Sequence, residues 1–158
     1  MSGLGKIVFP MKIALGQINT TVGDFSGNTR KMADFARLAA SQGAELIAFP
    51  ELSLTGYPPR DLVEKSSFVS ACEDSLESLA DELATVPIAV ICGTLSYADT
   101  TEGKQLHNSA VLFHQGKILF RQDKMLLPTY DVFDEGRYFA SAEKQHLVSL
   151  NHRKIAIT

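Results

Sequence analysis

The chain has 158 residues, 45% hydrophobic and 21% charged, with a formal net charge of −3, enough for one domain of ordinary globular composition or a part of a larger one. No apolar run approaches the roughly 20 residues that span a bilayer, and the first residues lack the basic cluster and cleavage site of a secretory signal. The absence of a basic block argues against nucleic acid or an anionic membrane as a partner.

Two cysteines make no disulfide framework, so a reducing cytoplasm is the expected compartment. The four histidines, His107, His114, His146 and His152, show no metal-ligand spacing and read as partly exposed side chains.

In chain order, residues 1–10 read as an extension and residues 11–158 as the domain. "MKIALGQIN" is apolar on both alternating faces, which predicts a strand covered on both sides. Asn28 is placed to cap a helix over about 29–42, with Met32, Phe35, Ala36 and Ala39 as its buried stripe and Gly43 after its end. "AELIAFP" predicts a second buried strand ending at Pro50. A helical segment over about 62–84 repeats Phe68, Cys72, Leu76, Leu79 and Leu83 at spacings of three or four. "VPIAVICGTLSYA" predicts a third strand. Two hairpins follow, one turning at Gln115-Gly116 and one around Asn151-His152. The pattern is that of an α/β domain with a mixed sheet.

Two stretches carry candidate chemistry. Glu51 lies just past the end of a buried strand, where α/β sheets tend to place reactive groups. Such a glutamate is by itself most often a solvated loop residue. What singles this one out is the rigid turn that follows, with Gly56, Tyr57, Pro58 and Pro59. The second stretch, "KMLLPTYDVFDEGRYF", begins with Lys124 at the end of a hairpin strand. It reads equally as a surface loop pinned by aromatic anchors and as part of a site, since long structured loops are often functional. Cys72 falls on an apolar helix stripe with nothing basic within a turn, and Cys92 falls in a buried strand. Both read as core residues, although "ACED" around Cys72 has the look of a reactive motif.

"ALGQINTTVGDFSGN", "FPELSLTGYPPRDL" and "DKMLLPTYDVFDEGRYF" together resemble the amino-terminal glutaminase domain of glutamine-dependent NAD synthetases, a branch of the nitrilase, or carbon–nitrogen hydrolase, superfamily. The resemblance runs from Met11 to the last residue. It implies an α-β-β-α sandwich with mixed sheets, of which only the N-terminal part is present, and a Glu–Lys–Cys triad that releases ammonia from glutamine. By matching motif, Glu51 would be the general base, Lys124 the cation at the oxyanion and Glu135 an additional supporting glutamate. Tyr57 and Tyr130 would shape the glutamine pocket. The family nucleophile belongs to an Ile-Cys-Glu-Asp segment shortly after the strand represented by "KIAIT", and the sequence ends at Thr158 ahead of it.

The chain alone is therefore expected to be inactive and, with an unfinished sheet edge, marginal or self-associating. The resemblance also implies a homo-oligomer, no cofactor for this chain, and a separate synthetase domain that uses ATP and Mg²⁺ to amidate deamido-NAD. Two other readings are a free-standing nitrilase-type amidase and a non-catalytic interaction module of the same fold.

Overall fold

The computed structural model describes residues 10–100 and 102–158, so the expected extension lies, apart from Pro10, outside the described residues. Five strands form one mixed sheet: β1 (Ile13–Leu15), β2 (Leu46–Ala48), β3 (Ala89–Tyr97), β4 (Leu106–His114) and β5 (Lys117–Asp123), adjacent in that order. The first three are mutually parallel, β4 is antiparallel to β3, and β5 is antiparallel to β4. It follows that β2, β3 and β5 end on the same edge of the sheet, where β4 begins.

Helix α1 (Phe25–Ser41) connects β1 to β2. A 3₁₀ turn, Arg60–Glu64, and helix α2 (Ser66–Glu82) connect β2 to β3. Parallel strands joined through helices cross over with one handedness, and both helices share a single core with one sheet face. Met32, Ala36, Cys72, Leu76 and Leu79 pack there with Ile47, Val90, Val111 and Phe113.

The opposite face carries Leu46, Ala89, Ile91, Leu112 and Phe120, and Val148, Leu150 and Ile155 of the β6–β7 hairpin pack on it. That hairpin (Leu147–Leu150 and Arg153–Ala156) is a separate two-stranded antiparallel sheet. Both expected hairpin turns are present. Gln115, Gly116, Asn151 and His152 all have positive φ, as a two-residue turn matched to the strand twist requires.

Three local expectations are corrected. First, β1 is an edge strand, and Ile13 and Leu15 are 54% and 76% exposed, so it is not covered on both faces. Second, the cap of α1 is Asp24, whose Oδ1 accepts from the Gly27 backbone N–H. Capping one turn early puts Asn28 inside the helix, fully buried. There its amide donates to the carbonyls of Thr21 and Leu54, and its oxygen accepts from the Thr21 N–H. On the same helix Phe35 is 40% exposed and Ala33 is fully buried, so the buried stripe runs through Met32, Ala33, Ala36 and Ala39. Third, the segment 62–84 is broken at Lys65, where extended backbone separates the 3₁₀ turn from α2. Among the described residues, no helix is long and apolar enough to cross a membrane.

Leu79 is fully buried on α2 and Phe35 is 40% exposed on α1. In the protein that carries this chain, Leu79→Ala is expected to cost about 2–5 kcal/mol and Phe35→Ala less than about 1 kcal/mol, read from urea unfolding. Equal losses would show that α1 packs through Phe35 after all.

Candidate active site

Glu51 and Lys124 come from strands β2 and β5, which stand three strand spacings apart, roughly 14 Å. They nevertheless meet, with Lys124 Nζ 2.6 Å from Glu51 Oε1. The gap closes because the chain leaving β2 crosses over β3. Phe49 N–H donates to the Ile91 carbonyl and Leu54 N–H to the Gly93 carbonyl, while Gly93 N–H donates to Ser53 Oγ. A side chain at Gly93 would point into this crossing, since a Cβ there would lie 2.0 Å from the Leu52 backbone nitrogen. Leu52 itself, fully buried, is held at φ 46°, in the left-handed region that a leucine rarely adopts. Backbone therefore rests directly on backbone, and the turn projects Glu51 towards β4 and β5.

The crossing is fixed on its other side as well. Gly56, at φ 76°, lies so close to the Val22 backbone that a Cβ would come within 2.6 Å of its nitrogen. Asn28 ties the same turn to α1 through the Leu54 carbonyl.

Lys124 follows directly after β5, and its backbone N–H donates to the Asn108 carbonyl. Its ammonium also reaches both carboxylate oxygens of Glu135, at 3.1 and 2.9 Å. Glu135 opens α3 (Glu135–Tyr138) and is 5% exposed. It further accepts from the Tyr57 hydroxyl at 3.3 Å and from Asn108 Nδ2 at 3.4 Å. Every oxygen of Glu135 is thus engaged. Glu51 differs: Oε1 accepts from Lys124 and from Asn108 Nδ2, while Oε2 has no hydrogen-bond partner among the described residues. One carboxylate is saturated and the other keeps an oxygen free, and this asymmetry separates their possible roles. Burial alone would lower the Lys124 pKa, but the two carboxylates outweigh it and raise it, so the ammonium stays charged. Burial and the neighbouring Glu135 and Glu51 push the Tyr57 hydroxyl up to about 12, which keeps it a donor.

Of the residues singled out from the sequence, Glu51, Lys124, Glu135 and Tyr57 form one cluster. Tyr130 stands outside it. Its ring is 69% exposed and meets Phe133 edge-on at 5.8 Å, and Phe133 in turn lies 6.4 Å from the Tyr57 ring. Cys72 and Cys92 are both fully buried in the helix-side core, and burial raises both thiol pKa values, so neither is poised as a thiolate.

A cavity of about 680 Å³ adjoins the cluster, with Glu51, Asn108 and Lys124 at one part of its wall and Ile91, Ala110 and Ile157 along another. Among the described residues, no group of three His, Cys, Asp or Glu side chains could hold a metal ion.

Two residues of the site were missed in the sequence, Asn108 and Gly93. Each left a signal. By strand alternation Asn108 shares a row with Ala110 and Leu112, so it is a polar residue on an apolar row. A glycine inside a strand pattern marks close approach of another backbone. Also unforeseen was the support behind Lys124. The Asp123 carboxylate accepts from Ser96 Oγ at 3.0 Å and Ser109 Oγ at 2.6 Å, while His107 Nδ1 donates to the Ala140 carbonyl at 2.8 Å.

A mixed sheet with two helices on one face, a hairpin sheet on the other and a Glu–Lys–Glu cluster at the strand tips defines a class, and comparison gives it a name. The carbon-nitrogen hydrolase family model matches residues 12–156, and the chain belongs to that family. The glutamine-dependent NAD(+) synthetase of Synechocystis sp. is 45% identical over 149 residues, which cover 92% of this chain and 26% of that protein. The glutamine-dependent NAD+ synthetase of Acinetobacter baumannii, solved in complex with ADP, aligns with a TM-score of 0.79 at 33% identity, covering 92% of this chain and 27% of that one. A mutant amidase from Nesterenkonia sp. AN1, solved after addition of acrylamide at its active-site cysteine, gives a TM-score of 0.75 at 26% identity, with 93% and 56% covered. The chain spans about a quarter of the length of the synthetases it matches.

Gly93→Ala is expected to destabilise the protein by about 1–3 kcal/mol through overpacking and to drive the Glu51 turn off β3. A crystal structure of this variant with the Glu51–Lys124 contact unchanged would show that the crossing tolerates a side chain.

Proposed function

We propose that this chain is part of the glutaminase portion of a glutamine-dependent NAD synthetase, in which Glu51 is the general base, Lys124 stabilises the oxyanion and Glu135 holds Lys124. The observation that carries the assignment is the free Oε2 of Glu51 beside a lysine whose ammonium is bound by both carboxylates. The nucleophile is a cysteine outside residues 1–158, because both cysteines within them are fully buried and burial raises both thiol pKa values. The similarity to an amidase with an active-site cysteine supports this reading.

In this mechanism Glu51 Oε2 takes the thiol proton, and the thiolate attacks the side-chain amide carbon of glutamine. The carbonyl oxygen becomes an oxyanion facing Lys124. Collapse expels ammonia, which leaves with the proton from Glu51, and a thioester remains. Glu51 then removes a proton from water as it attacks the thioester. Glutamate leaves, and the proton returns to the thiol. The sum is glutamine plus water giving glutamate plus ammonia.

The exposed Tyr130 and the adjoining Tyr57 and Phe133 provide an aromatic rim for the substrate. ATP and Mg²⁺ serve the amidation of deamido-NAD in the synthetase portion, the partner to which ammonia passes within a cytoplasmic homo-oligomer. The structural likeness to the Nesterenkonia amidase favours a second reading, a free-standing amidase acting on a small amide.

In the protein that carries this chain, Glu51→Gln is expected to lower glutamine hydrolysis by about 10²–10⁴-fold and Lys124→Met by about 10²–10³-fold. Synthesis of NAD from added ammonia should persist in both variants. Wild-type ammonia release in Glu51→Gln would remove the base from the scheme. The 158 residues alone are expected to release no ammonia from glutamine, and activity of the isolated chain that is lost in Cys72→Ala or Cys92→Ala would place the nucleophile inside it.

A further inference from the structure

We infer that Asn108 is a positioning residue of this site, whose side-chain amide fixes the base and the second glutamate relative to one another. The inference rests on the reading of Glu51 as the base. Asn108 touches all three charged residues. Its backbone carbonyl accepts from the Lys124 backbone N–H at 2.8 Å, a contact of the β4 main chain, and its side-chain Nδ2 lies 2.5 Å from Glu51 Oε1 and 3.4 Å from Glu135 Oε2. It is 3% exposed and sits on β4, between the strand that Glu51 crosses and the strand that delivers Lys124.

The chemistry of the amide suits this place. A lysine ammonium has three hydrogens, and the three acceptor oxygens around Lys124 are Glu51 Oε1 and both oxygens of Glu135. A second donor to Glu51 must come from elsewhere. The planar NH₂ of asparagine has two hydrogens in fixed directions, one for each carboxylate, and so sets the spacing of two groups that repel.

With both donors on Oε1, Oε2 is the oxygen left to take a proton. Without Asn108, a single ammonium contact would hold the Glu51 carboxylate, which could then swing and exchange its oxygens. The other charged and titratable groups facing Glu51 are Lys124 beyond β5, Glu135 on α3 and Tyr57 from its own turn. Asp123 is engaged by Ser96 and Ser109.

The test uses the whole protein that carries this chain, with Asn108→Leu and the isosteric Asn108→Asp, neither of which can donate from this position when the aspartate is ionised. For glutamine hydrolysis, kcat is expected to fall about 10–100-fold, the scale of a small misplacement of a catalytic group. KM should stay within about threefold, since ground-state binding is not what is lost.

A purely structural asparagine would lower the melting temperature and leave kcat within about threefold of wild type, and this result in folded variants overturns the inference. Crystal structures supply the second measurement. Displaced Glu51 and Glu135 carboxylates in Asn108→Leu are expected, and carboxylates in their wild-type places overturn the inference whatever the activity. A wild-type protein that releases no ammonia from glutamine instead overturns the role of Glu51, and the carboxylate positions then decide on Asn108 alone.

Discussion

The ammonium of Lys124 between two carboxylates is the contact on which the rest of the site depends. Glu51 and Glu135 would repel at this separation, and one cation at 2.6 and 2.9 Å turns the repulsion into a bound triad. Glu51 and Lys124 are 73 positions apart in the chain, so no local element can make the contact. It has to be assembled by the sheet. The partly exposed end of the triad is Glu51 and the buried end is Glu135, so one carboxylate can be reached from solvent and the other is enclosed.

The sheet meets this demand through strand direction. Two helical crossovers make β1, β2 and β3 parallel, and two hairpin reversals return β5 to the same sense. The tips of β2 and β5 therefore share an edge although three spacings separate them. The remaining distance is covered by a turn laid on β3 at Gly93, with Leu52 in a left-handed conformation. A buried leucine in that region costs on the order of 1–3 kcal/mol. The surrounding packing, from Gly56 against Val22 and from Asn28 to Leu54, holds it there.

Much of the element order was legible in the sequence, because alternation and helical spacing report burial directly. The hairpin turns at Gln115-Gly116 and Asn151-His152 were readable for the same local reason. Errors arose where a choice depended on distant contacts. Asn28 looks like a cap, and only the presence of Leu54 across α1 explains why it serves better buried while Asp24 takes the cap. β1 looks buried on both faces because its residues are apolar, yet its position at the sheet edge leaves Ile13 and Leu15 open. In the site, Glu51, Lys124, Glu135 and Tyr57 were each visible through the family motifs. Asn108 and Gly93 were not, since their work is done across strands by a single amide and by a missing side chain. Tyr130 shares the motif but stands apart from the charged cluster, on the far side of Phe133.

The crossing at Gly93 also divides labour across the molecule. Glu51 is seated on main chain, with no rotatable side chain of β3 beneath it at Gly93, whereas the helices pack on the sheet through Met32, Leu76 and Leu79. Substitutions that loosen the helical layer reach the spacing between carboxylate and ammonium through the few points where that layer holds the turn, the Asn28 amide on the Leu54 carbonyl and the packing of Leu52 and Leu54. A lineage carrying this arrangement can rework the solvent-facing side of its helices while the positions that meet the turn hold the dimensions of that edge.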